Sequence, residues 1–361
     1  LLVLPVEIGN CIELEILHFV DTPLISLPKS LGKCTKLKNL YLESAKIEEF
    51  PLEFGTLTSL EFLETFEVPI KALPDNISNW KKLQTLRMFK TEMVDLPESF
   101  GQLVGLMELS LTEGNLKSLP NTFGGLENLQ DLDMHSNRLK ILPKSIGHLR
   151  HLVHLDLSFN EIEALPQEFC SLKCLESLTL KSNHLKNLPN CYGNLYSLRW
   201  LELSQNDIEE LPDSIKKLSN LRLFDISVNQ LSKFPSSLQE LPYLNTLNIA
   251  NNPIFSLEDQ HFLGFPSLGL LGLDQLNLDY LPLSIQNLKS LIGLGLNRNC
   301  FKHLPDVLLK IPSLKDVHLC DNPLILSEEK NVRINEELNK RGVKLILTNQ
   351  DLKPSILRFK I

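Results

Sequence analysis

Aspartate and histidine alternate on two short stretches of this sequence, and these residue types could do chemistry. Asp131, Asp133 and His135 lie in DLDMH, and His154 and Asp156 lie in HLD, 23 residues further on. Carboxylates and imidazoles hold divalent metal ions and transfer protons. We therefore consider His135 and His154 as metal-ligand candidates. A solvated polar surface, in which Asp–His pairs offset each other's charge, explains the same residues.

Catalytic motifs are absent from the sequence. It contains no GxSxG elbow, no HExxH pair and no glycine-rich phosphate loop. Cys170 and Cys174 form a CxxxC, but no second pair follows at the spacing of a zinc site. We therefore expect a protein that is not an enzyme and that has no cofactor and no cysteine-bound metal.

Aromatic and cationic residues cluster near the start of the chain, and two of them, Phe66 and Phe89, are 23 residues apart. The set comprises Tyr41, Phe62, Phe66, Arg87, Phe89 and Lys90. Exposed aromatic side chains beside an arginine are typical of binding hot spots. The alternative is that the first units fold Phe62 or Phe66 back into their own core. On the first interpretation the set is a partner-binding surface.

Four acidic residues and one threonine form a second series with an interval of 23 residues. Its members are Asp133, Asp156, Thr179, Glu202 and Asp225, with Trp200 beside Glu202. We interpret this series as an acidic stripe that either meets a basic partner or is a solvated face. Further along, Gly272, Gly293 and Gly295 leave the same face nearly bare, so a partner's backbone could approach closely there.

The interval of 23 residues runs through most of the chain. Eleven prolines mark it, from Pro5 through Pro28 to Pro235, and fourteen LxxLxL runs begin between Leu14 and Leu314. In LxxLxL, alternate side chains point to opposite faces of a short strand, so the leucine side must be buried. One unit cannot bury that side alone. The units therefore stack their strands into a parallel sheet, and proline belongs on the irregular return segment. Because the strand side is the narrower one, we expect the stack to curve with its strands on the concave face.

Position 9 of each unit, counted from the first leucine of LxxLxL, separates two parts of the chain. Eight units carry asparagine there: Asn137, Asn160, Asn183, Asn206, Asn229, Asn252, Asn299 and Asn322. A buried amide can satisfy the backbone groups at a strand end. Six units lack it, with Thr22, Ala45, Val68, Thr91, Gly114 and Leu276 in its place. In these six we expect less regular turns and lower local stability.

The last 35 residues depart from the repeat. Residues 327–341 have a helical composition that Gly342 could end, and residues 343–347 read as a strand. We therefore divide the chain into repeats over 1–326, with fourteen full units after a partial first one, and a C-terminal cap over 327–361. In the unit that begins at Leu244, an additional residue and Glu258 in place of proline predict a bulge near 259–264.

The repeat resembles the leucine-rich-repeat family, in its 23-residue LxxLxLxxNxLxxLPxxIxxLxx class. This class is similar to Ras-scaffold, Scribble-type, plant intracellular Ras-group and bacterial-pathogen repeat proteins. The resemblance implies an α/β solenoid, a curved leucine-rich-repeat horseshoe with a parallel sheet on the concave face. It also implies a scaffold that binds a protein there: a small GTPase or another signalling or host protein.

A second hypothesis is the ligand-sensing arm of a larger receptor or kinase. It is motivated by a chain that begins at position 11 of a unit, with no cap before Leu14. We expect that end to be a truncation point.

Composition excludes two partner classes and suggests a compartment. A net charge of −8 argues against a general nucleic-acid binder, and no apolar run reaches the length of a membrane span. The seven cysteines form no disulfide-cap pattern, so we expect reduced thiols and a cytoplasmic protein, with Cys320 accessible. A secreted or surface location is the alternative if the source is a bacterial pathogen. The sequence does not fix the oligomeric state.

Overall fold

The computed structural model describes residues 2–348. The chain divides into two compact units, Leu1–Leu185 and Lys186–Ile361. We call these two compact parts the first and second units of the fold, as distinct from the single repeats within them, and describe each by itself. In both, a repeat consists of one short strand, a turn and a 3₁₀ segment.

The first unit contains eight parallel strands in chain order. They are β1 (Ile16–Phe19), β2 (Asn39–Glu43), β3 (Phe62–Phe66), β4 (Thr85–Phe89), β5 (Glu108–Thr112), β6 (Asp131–Asp133), β7 (His154–Asp156) and β8 (Ser177–Thr179). Each residue pairs with the residue 23 positions later, as Asp133 does with Asp156. Positions 3, 5 and 7 of each repeat therefore form columns on the side of the sheet that faces away from the leucine core. We call this side the outer strand face.

Up to residue 348, the second unit contains seven strands and a helix. They are β9 (Trp200–Glu202), β10 (Leu223–Asp225), β11 (Thr246–Asn248), β12 (Leu270–Gly272), β13 (Gly293–Gly295), β14 (Asp316–His318), α1 (Glu329–Lys340) and β15 (Lys344–Ile346). Neighbouring strands pair in parallel, and β15 pairs with β14. The parallel-sheet solenoid predicted from the repeat is confirmed.

Leucines fill the core, and 3₁₀ segments close each repeat. Leu132 and Leu155, for example, are buried between the strands and the return segments. Most 3₁₀ segments begin directly after the proline that recurs every 23 residues, as Lys144–His148 does after Pro143. Proline suits this place because its fixed φ matches the segment start and its missing N–H is not needed there. A Cβ on Gly124 would collide with the carbonyl oxygen of Ser145, so glycine there allows two return segments to pack closely.

Asparagine at position 9 ties each repeat to the one before it. The Asn160 Nδ2 group donates to the carbonyl oxygen of Met134 at 3.0 Å, and its Oδ1 atom accepts from the Leu139 N–H group at 3.0 Å. The same Nδ2 group donates to its own repeat at Leu157. The amide therefore satisfies buried backbone groups of two repeats, as the sequence predicted.

Five of the six repeats without this asparagine have turns as regular as the others, which corrects our expectation for them, whereas the Leu276 repeat has a second left-handed residue, Asn277, with φ of 56°. Position 8 adopts the left-handed conformation in both classes, with φ of 55° at Lys90 and 54° at Phe159. The difference lies in the strands, because β2–β5 have five residues whereas β6–β8 have three.

The C-terminal helix lies where its composition predicted it. Ile334 and Leu338 are buried, and the Asn331 Oδ1 atom accepts from the Leu304 N–H group at 2.7 Å. Gly342 follows the helix with φ of 73°, a conformation that favours glycine. The cap predicted over 327–361 lies outside the described residues from 349 onward.

The repeat that carries Glu258 in place of proline was expected to bulge near 259–264, and most of that range forms a 3₁₀ segment instead. Its 3₁₀ segment, Asp259–Phe262, begins with a capping box between Glu258 and His261, and Phe265 has φ of 62°.

Candidate interaction site

Six side chains on β2–β4 and the residue after β4 form what we call the aromatic patch. They are the predicted set Tyr41, Phe62, Phe66, Arg87, Phe89 and Lys90. Tyr41 and Phe62 have ring centroids 5.0 Å apart, and Phe66 and Phe89 are stacked at 4.7 Å. Phe66 is 41% exposed, so it is not folded into the core. The register of the strands brings the predicted set together on one face.

Ion pairs hold the two cations of the patch. Arg87 lies 2.6 Å from Glu108 and 3.6 Å from Glu64, and its guanidinium is 5.8 Å from the centre of the Phe62 ring. The hydrogen bond to Glu108 raises the pKa of Arg87. Arg87 therefore stays charged and is oriented beside the aromatic rings before any partner arrives.

Lys90 is held in the same way on the other edge of the patch. Its ammonium group lies 2.6 Å from Glu67 and 5.1 Å from the centre of the Phe89 ring. The hydrogen bond to Glu67 raises the pKa of Lys90. Both cations thus combine a carboxylate partner with an aromatic face, which orders long side chains that would otherwise be mobile.

The Asp–His residues on β6 and β7 are neighbours, as predicted. Asp131 pairs with His154 and Asp133 with Asp156. The His135 Nδ1 atom lies 2.8 Å from the Asp133 Oδ1 atom, whereas His154 Nε2 is 3.9 Å from Asp131. The contact between His135 and Asp133 is a hydrogen bond within the face.

Three of these Asp and His residues have the spacing of metal ligands. Within residues 2–348, Asp133, His135 and Asp156 are the group whose ligand atoms all lie within 4.8 Å of one another. His154, the second candidate from the sequence, is not in that group. Because His135 and Asp156 already make hydrogen bonds inside the face, the spacing alone does not assign a metal.

The acidic series is less accessible in the second unit than the sequence suggested. Glu202 and Asp225 are each only 1% exposed, and Trp200 is half-buried. The Asp225 carboxylate accepts from the Ser227 hydroxyl at 2.6 Å and from the Asn248 amide at 2.9 Å. The expectation of an exposed acidic stripe is therefore wrong in the second unit, because neighbouring polar side chains cover these carboxylates. Partner binding by Asp133 and Asp156 in the first unit remains a prediction.

The cysteines correct two further expectations. Cys320 is buried rather than accessible. Cys170 and Cys191 are disulfide-bonded, whereas Cys11, Cys34, Cys174 and Cys300 are free. The expectation that every thiol is reduced is wrong for these two. The sequence carried no cap-like pairing pattern that would have indicated it.

Family models identify the repeat. The leucine-rich-repeat model matches residues 81–139 and 140–185. The repeat region of leucine-rich repeat and WD repeat-containing protein 1 matches residues 169–269. The chain belongs to the leucine-rich-repeat proteins, a fold that typically serves as a non-enzymatic protein-interaction domain. The comparison with curated proteins found no significant match.

Solved structures agree on the fold. The chain is similar to a leucine-rich-repeat protein of Leptospira interrogans, with 27% identity, a TM-score of 0.73, and coverage of 94% of this chain and 97% of that one. It is also similar to the ectodomain of the Arabidopsis thaliana receptor kinase GASSHO1/SCHENGEN3, in complex with CASPARIAN STRIP INTEGRITY FACTOR 2. There the identity is 26%, the TM-score is 0.77, and the coverage is 92% of this chain and 41% of that one.

The Drosophila Toll receptor in the Toll–Spatzle complex matches with 22% identity and a TM-score of 0.73, over 92% of this chain and 47% of that one. This likeness shows the fold alone. The chain spans less than half the length of either receptor structure. Among the described residues, no helix is long and apolar enough to cross a membrane.

Proposed function

We propose that this protein is a non-enzymatic scaffold that binds a partner protein on the outer strand face, through the aromatic patch of the first unit. The observation that carries the proposal is Phe66, which is exposed and stacked on Phe89 beside the fixed cation Arg87. Aromatic and arginine side chains contribute most of the binding energy in many protein interfaces.

Preorganisation supports the same conclusion. The rings of the patch rest on adjacent strands, and its cations are held by Glu64, Glu67 and Glu108. Binding then requires little additional ordering of side chains, which reduces the entropic cost of association. The net charge of the chain, −8, adds no general affinity for nucleic acid, so the partner we propose is a protein.

The partner we propose is a signalling or host protein, with small GTPases as one class, and the location we propose is cytoplasmic. The partner class rests on the resemblance of the repeat. The location rests on the lack of a disulfide-cap pattern in the sequence, whereas the disulfide-bonded Cys170 and Cys191 favour the alternative, a secreted or surface location. The second candidate is the ligand-sensing arm of a larger receptor or kinase, and the likeness to the GASSHO1/SCHENGEN3 ectodomain favours it. The sequence of the complete gene distinguishes the two, because a kinase or receptor segment in the same reading frame would support the second.

Affinity capture from a lysate of the source organism, or of its host if the source is a pathogen, tests the proposal. The wild-type chain is compared with the triple variant Phe66→Ala/Arg87→Ala/Phe89→Ala. Phe255→Ala is the matched control, because Phe255 is 85% exposed and lies on a return segment. We expect a protein that wild type and control capture and the triple variant does not. Equal capture by all three would refute binding at the patch.

A further inference from the structure

The aromatic patch lies on an acidic part of the first unit. On the outer strand face and at position 8 of the repeats of β2–β7, eight residues are acidic and two are basic. The acids are Glu43, Glu64, Glu67, Glu108, Glu113, Asp131, Asp133 and Asp156, and the bases are Arg87 and Lys90. The charge that a partner meets depends on which of these residues offset one another within the face.

Both bases are already offset by carboxylates. Arg87 lies between the glutamates of β3 and β5 described above. Lys90 is bonded to Glu67, and Glu113 acts on its charge as well. These four glutamates surround two cations, so the patch has no positive charge to spare for an acidic partner.

The other four carboxylates have no lysine or arginine partner within residues 2–348. Glu43 stands alone on β2, whereas Asp131, Asp133 and Asp156 lie together on β6 and β7. Two of these three contact a histidine. Lys181, the next cation on the outer strand face, lies in the repeat of β8 and makes a contact of its own. A cationic group that approaches β6 and β7 therefore meets three carboxylates that no lysine or arginine of β2–β7 offsets.

The distance from the rings to these carboxylates fits a short extended segment. The stack of Phe66 and Phe89 joins β3 to β4, and Asp133 pairs with Asp156 across β6 and β7. The two centres are three strand spacings apart, or about 14 Å. An extended chain covers this distance in about four residues, and residues four apart point to the same side of it. An α-helix needs about nine residues, which places the two side chains on opposite sides.

We propose that the partner presents to this face an extended segment in which an aromatic residue and a lysine or arginine lie four positions apart. The aromatic ring contacts Phe66 and Phe89, and the basic group lies at the carboxylates of Asp133 and Asp156. Charge complementarity selects the basic residue, because an acidic one would be repelled there. This inference rests on the proposed function, since it identifies the partner of the same patch.

Fluorescence anisotropy of labelled peptides with the full chain tests the proposal. The probe is Lys-Thr-Thr-Thr-Phe-Thr-Thr-Thr-Lys-amide, which fits in either chain direction. One control peptide has norleucine, which has no charge, in place of both lysines. The other is Thr-Thr-Thr-Lys-Phe-Lys-Thr-Thr-Thr-amide, which keeps the composition and changes the spacing. EDTA is present to remove divalent ions that the carboxylates could hold. We expect the probe to bind about fivefold more tightly than either control, the size of a partly exposed ion pair.

Variants locate the basic contact. Asp133→Asn/Asp156→Asn should reduce the affinity of the probe to that of the norleucine peptide. The amide oxygens can still accept the backbone N–H groups that the carboxylates hold. Glu127→Gln/Glu163→Gln removes the same charge from exposed positions off the outer strand face and should leave the affinity unchanged. Equal weakening by both double variants would mean that the overall charge attracts the probe, and would overturn the proposal.

Phe66→Ala separates this inference from the proposed function. If the probe and the norleucine peptide bind the wild-type chain equally and Phe66→Ala weakens both, the basic residue is wrong and the patch still binds. Equal binding of the peptide with the changed spacing, or no binding of any peptide, also overturns this inference alone. If Phe66→Ala leaves the affinity of the probe unchanged, the aromatic contact is contradicted, and with it the proposed function.

Discussion

Within the first unit, strands β1–β5 and strands β6–β8 use their side chains differently. In β6–β8 the repeats carry Asn137, Asn160 and Asn183, whose amides bond buried backbone groups of adjacent repeats. In β1–β5 this asparagine is absent, the strands are longer, and the outer face carries stacked aromatic rings. The regular repeats use the position-9 asparagine to satisfy buried backbone groups, whereas the repeats without it carry the aromatic rings for which we propose partner binding.

The largest expected effect comes from the asparagine. Asn160→Ala removes four hydrogen bonds and leaves buried backbone groups without partners, so we expect the free energy of unfolding to fall by about 3 kcal/mol. Thr91→Ala, at the same position of a repeat without asparagine, should cost about 1 kcal/mol. Denaturant unfolding of both variants measures the difference. Equal losses would remove the distinction between the two regions.

The aromatic patch should matter less for stability. Phe66→Ala removes a half-exposed ring and its stacking on Phe89, so we expect a loss of about 1 kcal/mol. The same unfolding experiment measures it. A loss as large as that of Asn160→Ala would mean that the patch is part of the structural core rather than a binding surface.

Position 8 offers a smaller, stabilising change. Phe159 has φ of 54° and an exposed side chain in the repeat of β7. Asparagine tolerates this left-handed conformation better than a bulky residue, so Phe159→Asn should raise the free energy of unfolding by about 0.5 kcal/mol or more. Lys90→Asn, at the same position near the patch, should gain less because it loses contacts with Glu67 and Phe89. A gain from Lys90→Asn that equals the gain from Phe159→Asn would show that those contacts do not matter for stability.

The smallest effect should come from the ion pairs of the patch. Arg87→Gln removes exposed contacts with Glu64 and Glu108, so we expect a loss of about 0.5 kcal/mol that shrinks at high salt. Thermal melts at low and high ionic strength measure it. A salt-independent loss would indicate that Arg87 acts through packing on Phe62 instead.

The sequence predicted the parts of the molecule that one repeating rule determines. LxxLxL placed every strand through β14, and the interval of 23 residues gave the register that joins Phe66 to Phe89 and Asp133 to Asp156. Asparagine at position 9 predicted the buried amide bonds. The C-terminal helix followed from composition and Gly342.

What the sequence missed depends on contacts that the repeat does not encode. Glu202 and Asp225 occupy outer-face positions but are buried, and polar neighbours such as Asn248 cover Asp225. Whether an outer-face side chain is exposed depends on the size and hydrogen bonds of its neighbours in adjacent repeats. The left-handed backbone at position 8 was missed because residues as different as Lys90, Phe159 and Val228 occupy it. Its only sequence signal is its fixed place before position 9.

The most direct test of the account measures the affinity of the captured partner for three forms of the chain: wild type, Phe66→Ala/Arg87→Ala/Phe89→Ala and Phe255→Ala. We predict that the triple variant binds about 100-fold more weakly, because aromatic and arginine hot spots each contribute more than about 1 kcal/mol. Phe255→Ala should bind as wild type does. An affinity of the triple variant equal to that of wild type would contradict binding at the aromatic patch.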